Sequence, residues 1–219
     1  VIKLSSTVTS LGALDAAQGT VEYDGGTQNV LADAYYNLEI DQSGVKAAQG
    51  TVTAAGTLTV QTNATYAIAA TTSTITGATD LNGTLTASTG ILDANGSFDA
   101  TNGAIDFTGA GTLRLGGAVT SLGTLDETDG TVEYDLATQA VFADTYNNLT
   151  ISTAGTKTAG GVITVNNDLV TAATTDCKLD MGANNITLKG DLNVGATDGL
   201  DLSDASCTFT MGGSSAQSM

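Results

Sequence analysis

A long internal repeat constrains the fold of this chain more than any other feature. The block GTVEYDGGTQNVLADAYYNLEI at residues 19–40 returns as GTVEYDLATQAVFADTYNNLTI at residues 130–151, which is 111 positions later. In the wider alignment from Val8/Val119 to Thr59/Val170, 28 of 52 residue pairs are identical. We therefore divide the chain into two long repeats, residues 1–111 and 112–219, within one predicted domain that covers residues 1–219.

Polar and apolar residues alternate inside each repeat. Thr20-Val21-Glu22-Tyr23 and Thr112-Leu113-Arg114-Leu115 place their apolar side chains on one face, as half-buried strands do. Asp-Gly, Asn-Gly and Gly-Gly pairs, which form turns readily, separate these segments, and no long segment has a helical period. Short strands that recur at a fixed period predict an all-β fold, a parallel β-helix (β-solenoid) without significant helix.

A finer spacing of about 30 residues predicts the length of one coil. Leu38-x-Ile40 is followed by Ile68-x-Ala70 and then by Phe98-x-Ala100. The second repeat has the same series at Leu149-x-Ile151, Leu179-x-Met181 and Phe209-x-Met211. With two shorter turns completing each repeat, we expect four coils of about 28 residues per repeat and about eight coils in all.

An immunoglobulin-like sandwich is the main alternative for a repeat of this length. That fold usually contains a buried Trp, a Cys pair across the sheets and prolines in its loops. This chain has no Trp, no Pro and only two Cys, both in its second half. The composition therefore favours the solenoid.

The charge is strongly acidic, with 23 Asp and Glu against 6 Lys and Arg and a net charge of −17. Binding to nucleic acid or to an anionic membrane surface requires clustered Lys and Arg, so we predict neither partner. No run approaches the 18 apolar residues of a membrane-spanning helix, and we predict no membrane insertion. The negative charge fits either cation binding or solubility in a salty medium.

Both ends of the chain fall within the repeating pattern. Val1-Ile2-Lys3-Leu4 aligns with Thr112-Leu113-Arg114-Leu115, and Phe209-x-Met211 aligns with Phe98-x-Ala100. We expect open solenoid ends with exposed strand edges, which favours pairing between copies.

The two cysteines occupy equivalent places in this finer series, in CKLDMG and CTFTMG. We therefore predict that Cys177 and Cys207 stack one coil apart, either as a disulfide formed in an oxidising compartment or as two small buried residues. The chain has no His, so a zinc site is not predicted.

Five Asn-x-Ser/Thr triplets are candidate glycosylation sites of a secreted protein. Triplets of this kind also arise by chance in a Thr-rich chain. They begin at Asn63, Asn82, Asn95, Asn148 and Asn185.

Three aspartate pairs recur at the offset of the long repeat and raise the question of calcium. They are Asp15/Asp126, Asp24/Asp135 and Asp33/Asp144. A calcium site needs six to eight converging oxygens, whereas these residues belong to separate turns. We interpret them as solvated turn residues and predict no cofactor, with calcium as the alternative.

The sequence contains little that is typical of an enzyme. Without His, no His-based triad or general base exists. Paired carboxylates could cleave a glycosidic bond, but the acids here follow the repeat as scaffold residues do. Tyr35, Tyr36 and Tyr146 could line a glycan-binding strip or simply pack at strand starts. We predict a protein that is not an enzyme.

The GTVEY and YNL-x-I blocks resemble the β-strand repeats of large secreted bacterial surface proteins, the filamentous-haemagglutinin-like and autotransporter-type adhesins. The resemblance implies a secreted, extracellular structural or adhesive rod on the cell surface and transfers no catalytic residue. The expected partners are other copies of the chain, stacked end to end or as fibres, and surface glycans or a host or neighbouring cell surface. The alternatives are a polysaccharide-binding or polysaccharide-degrading β-helix and a calcium-dependent surface-layer component.

Overall fold

The chain folds as a parallel β-solenoid in a computed structural model that describes residues 1–195 and 197–218. The described residues contain no helix, and every strand pairing given below is parallel. The coils number about ten. The all-β parallel solenoid predicted from the sequence is therefore confirmed, although the predicted count of about eight coils is too low.

The chain divides into two compact units, Val1–Thr124 and Leu125–Met219, each with its own packed interior. The boundary between the units lies downstream of the repeat boundary at residue 111. The single domain expected over residues 1–219 stays a prediction.

Short strands make up unit 1. They are β1 Ile2–Leu4, β2 Thr20–Tyr23, β3 Gln28–Val30, β4 Ala34–Tyr35, β5 Asn37–Ile40, β6 Gly44–Ala48, β7 Val52–Ala54, β8 Leu58–Val60, β9 Ala64–Ile68, β10 Thr72–Ile75, β11 Thr79–Leu81, β12 Thr84–Ala87, β13 Ile91–Ala94, β14 Phe98–Asp99, β15 Ala104–Phe107, β16 Thr112–Leu115 and β17 Val119–Ser121. They form three sheets with the orders β1-β2-β5-β8-β11-β14-β17, β3-β6-β9-β12-β15 and β4-β7-β10-β13-β16. Strand β18 Thr124–Leu125 lies at the boundary between the units.

Unit 2 is built in the same way from three sheets. Its strands are β19 Thr131–Tyr134, β20 Gln139–Val141, β21 Thr145–Tyr146, β22 Asn148–Ile151, β23 Gly155–Ala159, β24 Ile163–Val165, β25 Leu169–Thr171, β26 Cys177–Asp180, β27 Ile186–Leu188, β28 Leu192–Val194, β29 Leu200–Asp201 and β30 Phe209–Met211. The orders are β19-β22-β25-β28, β20-β23-β26-β29 and β21-β24-β27-β30.

One coil is shorter than the sequence predicted. Leu38 lies beside Leu58, which is in register with Thr79, so successive neighbours are separated by about 20 residues rather than about 30. Ile68, expected above Leu38, instead lies beside Ala87 in another sheet. A spacing of about 30 residues is roughly one and a half coils and leads to a different face. This is why the predicted interior ladder was wrong.

The alternation of side chains produces the interior of each unit. In β5 the side chains of Leu38 and Ile40 are fully buried, while the alternating Asn37 and Glu39 face outward. Thr, Ser and Gly at the corners let the chain turn after only a short strand. Strands of all three sheets bury apolar side chains in this way, for example β5, β9 and β10.

One corner of the coil requires glycine in both repeats. Gly44 and Gly155 have φ values of 105° and 112°, a region that favours glycine. A Cβ atom on either residue would also collide with the backbone of the preceding coil, at Gly26 or Ala137. The same backbone geometry thus recurs at equivalent positions of the two repeats.

Membrane-spanning helices are absent from the part of the chain that the structure describes.

Candidate functional site

The most elaborate arrangement of polar groups lies inside unit 1, where two buried tyrosines form a bridge across the coil. The hydroxyl groups of Tyr23 and Tyr35 are 2.9 Å apart, and the rings meet edge to face with centroids separated by 6.4 Å. The Leu31 N–H donates to the Tyr23 hydroxyl at 3.1 Å, and the Tyr35 hydroxyl donates to the Leu31 carbonyl at 2.8 Å. Since each hydroxyl can donate only once, the Tyr23 hydroxyl donates to that of Tyr35 and the ring of bonds closes.

Unit 2 contains the same bridge at the equivalent place of the second repeat. The hydroxyls of Tyr134 and Tyr146 are 2.9 Å apart, and both bond to the backbone of Phe142. Burial is the largest cause that raises the pKa of Tyr35, Tyr134 and Tyr146 above the ordinary value. These hydroxyls therefore stay protonated, as the closed ring of hydrogen bonds requires.

A buried lysine lies next to each bridge. Lys46 is in register with Gln28 on one side and with Tyr66 on the other, and it is 0% exposed. Its Nζ donates to the carbonyl of Gln42 at 2.6 Å and to that of Ser43 at 3.4 Å. Gln42 has a φ of 59°, so the ammonium binds the carbonyls of a tight turn.

Lys157 repeats this arrangement with different neighbours. It lies between Gln139 and Leu179, is 0% exposed and donates to the carbonyl of Thr153, whose φ is 62°. Burial is the largest influence on the pKa of each lysine, and it lowers that pKa. Nearby carboxylates oppose that shift for Lys46, namely Asp41 and Asp24.

A lysine with a lowered pKa can serve as a nucleophile or a base, but only where a substrate can reach it. Lys46 and Lys157 are fully buried, and their Nζ atoms bond to turn carbonyls. Chemically, this arrangement can hold a turn in place and fix the packing of the coil.

The outward faces of the coils present polar side chains in register. On one face of unit 1, Glu22, Glu39, Thr59, Asp80 and Asp99 lie side by side on successive strands, and all of them except the buried Glu22 are at least partly exposed. An ion pair of 2.6 Å joins Lys3 to Glu22 at the start of this row.

A column of threonines occupies one outward face of unit 2. It consists of Thr145, Thr164, Thr187 and Thr210, one from each strand of the sheet. Neighbouring strands lie about 4.8 Å apart, so this column is a regular array of hydroxyl and methyl groups.

Unit 2 also contains a groove of about 480 Å³. Its lining is polar and includes Asn166, Asn167, Asp168, Lys189 and Asp191. The Lys189 Nζ donates to Asn166 Oδ1 at 2.7 Å, and Asp168 Oδ1 accepts the Asp191 N–H at 3.0 Å. Amide, carboxylate and hydroxyl groups of this kind can bind the hydroxyls of a sugar chain.

The predicted stacking of the two cysteines is wrong. Cys177 lies on β26 in register with Gly155, whereas Cys207 precedes β30, which belongs to a different sheet. Both are free thiols, and the buried Cys177 donates to the Ile151 carbonyl at 3.3 Å. The cause is again the mispredicted coil length. The two cysteines are separated by more than one coil, so they lie on different faces.

The five glycosylation triplets differ in exposure, and glycosylation stays a prediction. Asn63, Asn95 and Asn185 are exposed. The amide nitrogens of the other two are hydrogen-bonded, that of Asn82 to Asp80 at 3.0 Å and that of Asn148 to the Gly130 carbonyl at 2.8 Å.

Most of the recurring aspartates bind backbone amides of their own turns. Asp15 accepts the Ala17 N–H at 2.9 Å, and Asp33 accepts the Ala34 N–H at 2.8 Å. Asp126 and Asp144 make the corresponding bonds in the second repeat. No group of three or more acidic, Cys or His side chains that could hold a metal ion occurs among residues 1–195 and 197–218.

The idea of a tyrosine strip on the surface is wrong for two of its three members. Tyr35 and Tyr146 are 1% and 0% exposed because they form the internal bridges, and only Tyr36 faces solvent. Sequence reasoning also missed the buried lysines. The signal was present, since Lys46 occupies an inward position of β6 and recurs as Lys157 in a chain with only six basic residues.

Comparisons of this chain with protein families, with curated proteins and with solved structures found no significant match.

Proposed function

We propose that this chain is a non-enzymatic structural or adhesive module of an extracellular surface, a stiff β-solenoid that sets distance and displays regularly spaced polar groups. The observation that carries the proposal is the in-register stacking of outward side chains, such as Glu39 and Thr59 or Thr145 and Thr164. Each coil adds one more copy of a weak contact, and many weak contacts in a fixed array give strong attachment.

The interior supports this role because it favours stiffness over motion. Two closed tyrosine bridges and two buried lysines join turns to the core at equivalent places of the repeat. Hydrogen bonds in a buried network are strong, and breaking one leaves its partner unsatisfied. A module that transmits force or holds a binding face at a distance needs this kind of rigidity.

Antibody labelling of intact cells of the source organism tests the proposal. We expect labelling without permeabilisation and its loss after brief treatment with an external protease. Labelling that appears only after permeabilisation would contradict an extracellular role. Incubation of the purified chain with a panel of polysaccharides should release no new reducing ends, and turnover of any of them would contradict a non-enzymatic role.

The groove of unit 2 favours one second candidate, a polysaccharide-binding protein. Its polar lining would bind a glycan along the solenoid, with Lys189 and Asn166 as hydrogen-bonding groups. Retention on insoluble polysaccharide that is lost in Lys189→Ala but kept in Lys178→Ala would support this candidate. Lys178 is a matched control because its ion pair with Asp201 lies on another sheet.

A further inference from the structure

Unit 1 contains three Asn-Gly pairs, which begin at Asn82, Asn95 and Asn102. In such a pair the backbone nitrogen of the glycine can attack the side-chain amide of the asparagine, because glycine has no side chain to hinder the approach. The attack requires a backbone N–H that can lose its proton and a side-chain amide that is free to turn toward it. The hydrogen bonds of each pair therefore decide whether it reacts.

The first pair is held at both of these groups. The Gly83 N–H donates to the Val60 carbonyl at 3.0 Å. The Asn82 amide nitrogen donates to Asp80 Oδ1 at 3.0 Å, and the Asn82 Oδ1 accepts a hydrogen bond from Asn102 at 3.2 Å. A reaction at Asn82 would have to break these bonds first.

The third pair is held in a similar way. The Gly103 N–H donates to the Ala100 carbonyl at 2.8 Å, which closes a tight turn. The Asn102 amide nitrogen is bound to Asn82 of the preceding coil. The fold therefore protects the first and third pairs at the nitrogen that would attack and at the amide that would be attacked.

The second pair, Asn95-Gly96, forms the corner between β13 and β14 and lacks this protection. Asn95 is exposed and Gly96 is partly exposed. Neither the Asn95 side chain nor the Gly96 N–H has a hydrogen-bond partner among residues 1–195 and 197–218. At the same corner one coil earlier, the Gly77 N–H donates to the Gly56 carbonyl at 2.9 Å. Gly96 thus lacks a bond that its neighbour in the stack makes.

Stacked glycines form this corner in successive coils. A Cβ atom on Gly96 would lie 2.2 Å from the Gly77 carbonyl oxygen, so the position accepts only glycine. The residue before the glycine is not restricted in this way, since Ala55 and Thr76 hold that place in the two preceding coils. The packing therefore fixes the glycine that reacts and leaves the side chain of Asn95 free for chemistry.

We propose that Asn95 is a site of spontaneous deamidation, selected from the three Asn-Gly pairs by its missing hydrogen bonds, with water as the co-reactant. A solvent base removes the Gly96 N–H proton, and the nitrogen attacks Asn95 Cγ. The N–Cγ bond forms, the Cγ–Nδ2 bond breaks, and ammonia leaves with the proton that the base returns. Water then opens the resulting succinimide ring at either carbonyl, which gives aspartate or isoaspartate without any transfer of electrons.

The product alters the corner in charge and in length. The reaction adds a carboxylate, and isoaspartate also adds one backbone carbon between β13 and β14. The next residue in a strand is Phe98, which is fully buried and donates its N–H to the Ala118 carbonyl at 2.9 Å. We expect faster amide hydrogen exchange at Phe98 in the modified chain. The site is independent of the proposed structural role, because its reaction needs only the fold and water.

Prolonged incubation of the full chain, produced in a host without N-glycosylation, tests the proposal. The folded chain is kept in heavy-oxygen water at neutral pH, and peptide mapping by mass spectrometry follows each pair. Asn95 should take up heavy oxygen and form isoaspartate about tenfold faster than Asn82 and Asn102, because one additional hydrogen bond to break slows a reaction by about this factor. Equal rates at the three pairs, or a slower rate at Asn95, would overturn the proposal.

Two controls separate the effect of the fold from that of the local sequence. In a chain unfolded by guanidinium chloride the hydrogen bonds are lost, so the rates at the three pairs should converge. Asn95→Thr copies Thr76 of the preceding coil, so it should keep the β-sheet circular dichroism and remove the fast release of ammonia. Rates that differ as much in the unfolded chain as in the folded one, or unchanged ammonia release from Asn95→Thr, would contradict selection of Asn95 by its missing hydrogen bonds.

Discussion

Two equivalent segments, residues 20–48 and 131–159, have the same internal hydrogen bonds but different surroundings. Both contain a closed tyrosine bridge and a lysine bound to a turn carbonyl. The neighbouring coil differs, since Lys46 lies against Tyr66 while Lys157 lies against Leu179. The comparison shows that the bonds inside each segment are retained as a set, while the coil stacked upon the segment is free to change chemistry.

The change in the neighbouring coil involves two residues together. In unit 1 the Tyr66 hydroxyl is 2.7 Å from Ser73 Oγ, and both residues are fully buried. The corresponding positions in unit 2 are Leu179 and Ile186, which are also fully buried. Replacing both partners of a buried hydrogen bond by apolar groups costs little stability. Replacing only one partner leaves the other buried without a hydrogen bond, which costs more.

Alkali should have the largest effect on stability because it acts on the buried tyrosines of both units at once. Burial raises the pKa of Tyr35, Tyr66, Tyr134 and Tyr146 above the ordinary value of 10.0. Above pH 10 the unfolded chain therefore loses tyrosine protons that the folded chain keeps, so stability falls as the pH rises. We expect cooperative unfolding above this pH, with the tyrosinate absorbance of the buried tyrosines and the loss of β-sheet circular dichroism appearing together.

The two buried lysines oppose this trend over a narrow range. Their folded pKa values lie below the ordinary 10.5, so just below that pH the unfolded chain holds more protons and stability rises slightly with pH. In a Tyr36→Phe background, which removes the exposed tyrosine, tyrosinate absorbance that develops near pH 10 while the chain remains folded would contradict the closed bridges.

Truncating a tyrosine bridge should have the next largest effect on stability. The loss should be equal for the bridges of the two units. We expect Tyr35→Ala and Tyr146→Ala each to lower the free energy of unfolding by about 3–5 kcal/mol, measured by urea denaturation. Tyr35→Phe and Tyr146→Phe keep the ring and remove the bond, and should cost about 1–3 kcal/mol. A large loss of stability for the bridge of one unit only would show that the two bridges are not equivalent.

Exchanging the Tyr66–Ser73 pair of unit 1 for the apolar pair of unit 2 tests the difference between the two neighbouring coils. Tyr66→Leu alone should lower the free energy of unfolding by about 2–4 kcal/mol, since it leaves a cavity and removes the hydrogen-bond partner of the buried Ser73 hydroxyl. Adding Ser73→Ile recreates the apolar pair of unit 2, and we expect it to restore most of that loss. Strictly additive effects in this double-mutant cycle would argue against the comparison.

The lysines should show the smallest effect. Lys46→Met removes a donor from two turn carbonyls and leaves Asp24, whose Oδ1 is buried without a hydrogen bond, with less compensation. We expect a loss of about 1–3 kcal/mol. Lys157→Met should cost less, because its neighbour Leu179 is apolar and methionine fits such a site. Thermal unfolding of the two variants side by side measures the difference.

The sequence predicted the strands and the equivalence of the two coils because these follow from local alternation and from the repeat. The coil length was mispredicted, since stacked interior positions share no motif: Leu38, Leu58 and Thr79 are neighbours, although threonine is polar. The buried lysines were missed because lysine is usually exposed, and only the inward phase of β6 reveals the site.

Disulfide formation within one chain measures the coil length most directly. Thr53 and Thr74 lie opposite each other on β7 and β10, in adjacent coils, with outward side chains. A chain with Thr53→Cys and Thr74→Cys should close this disulfide rapidly and intramolecularly, as peptide mapping by mass spectrometry would show. Thr53→Cys with Thr84→Cys has the longer spacing that the sequence predicted for one coil, but it places the thiols on different sheets and should not close. Closure of the second pair and not the first would contradict a solenoid with coils of about 20 residues.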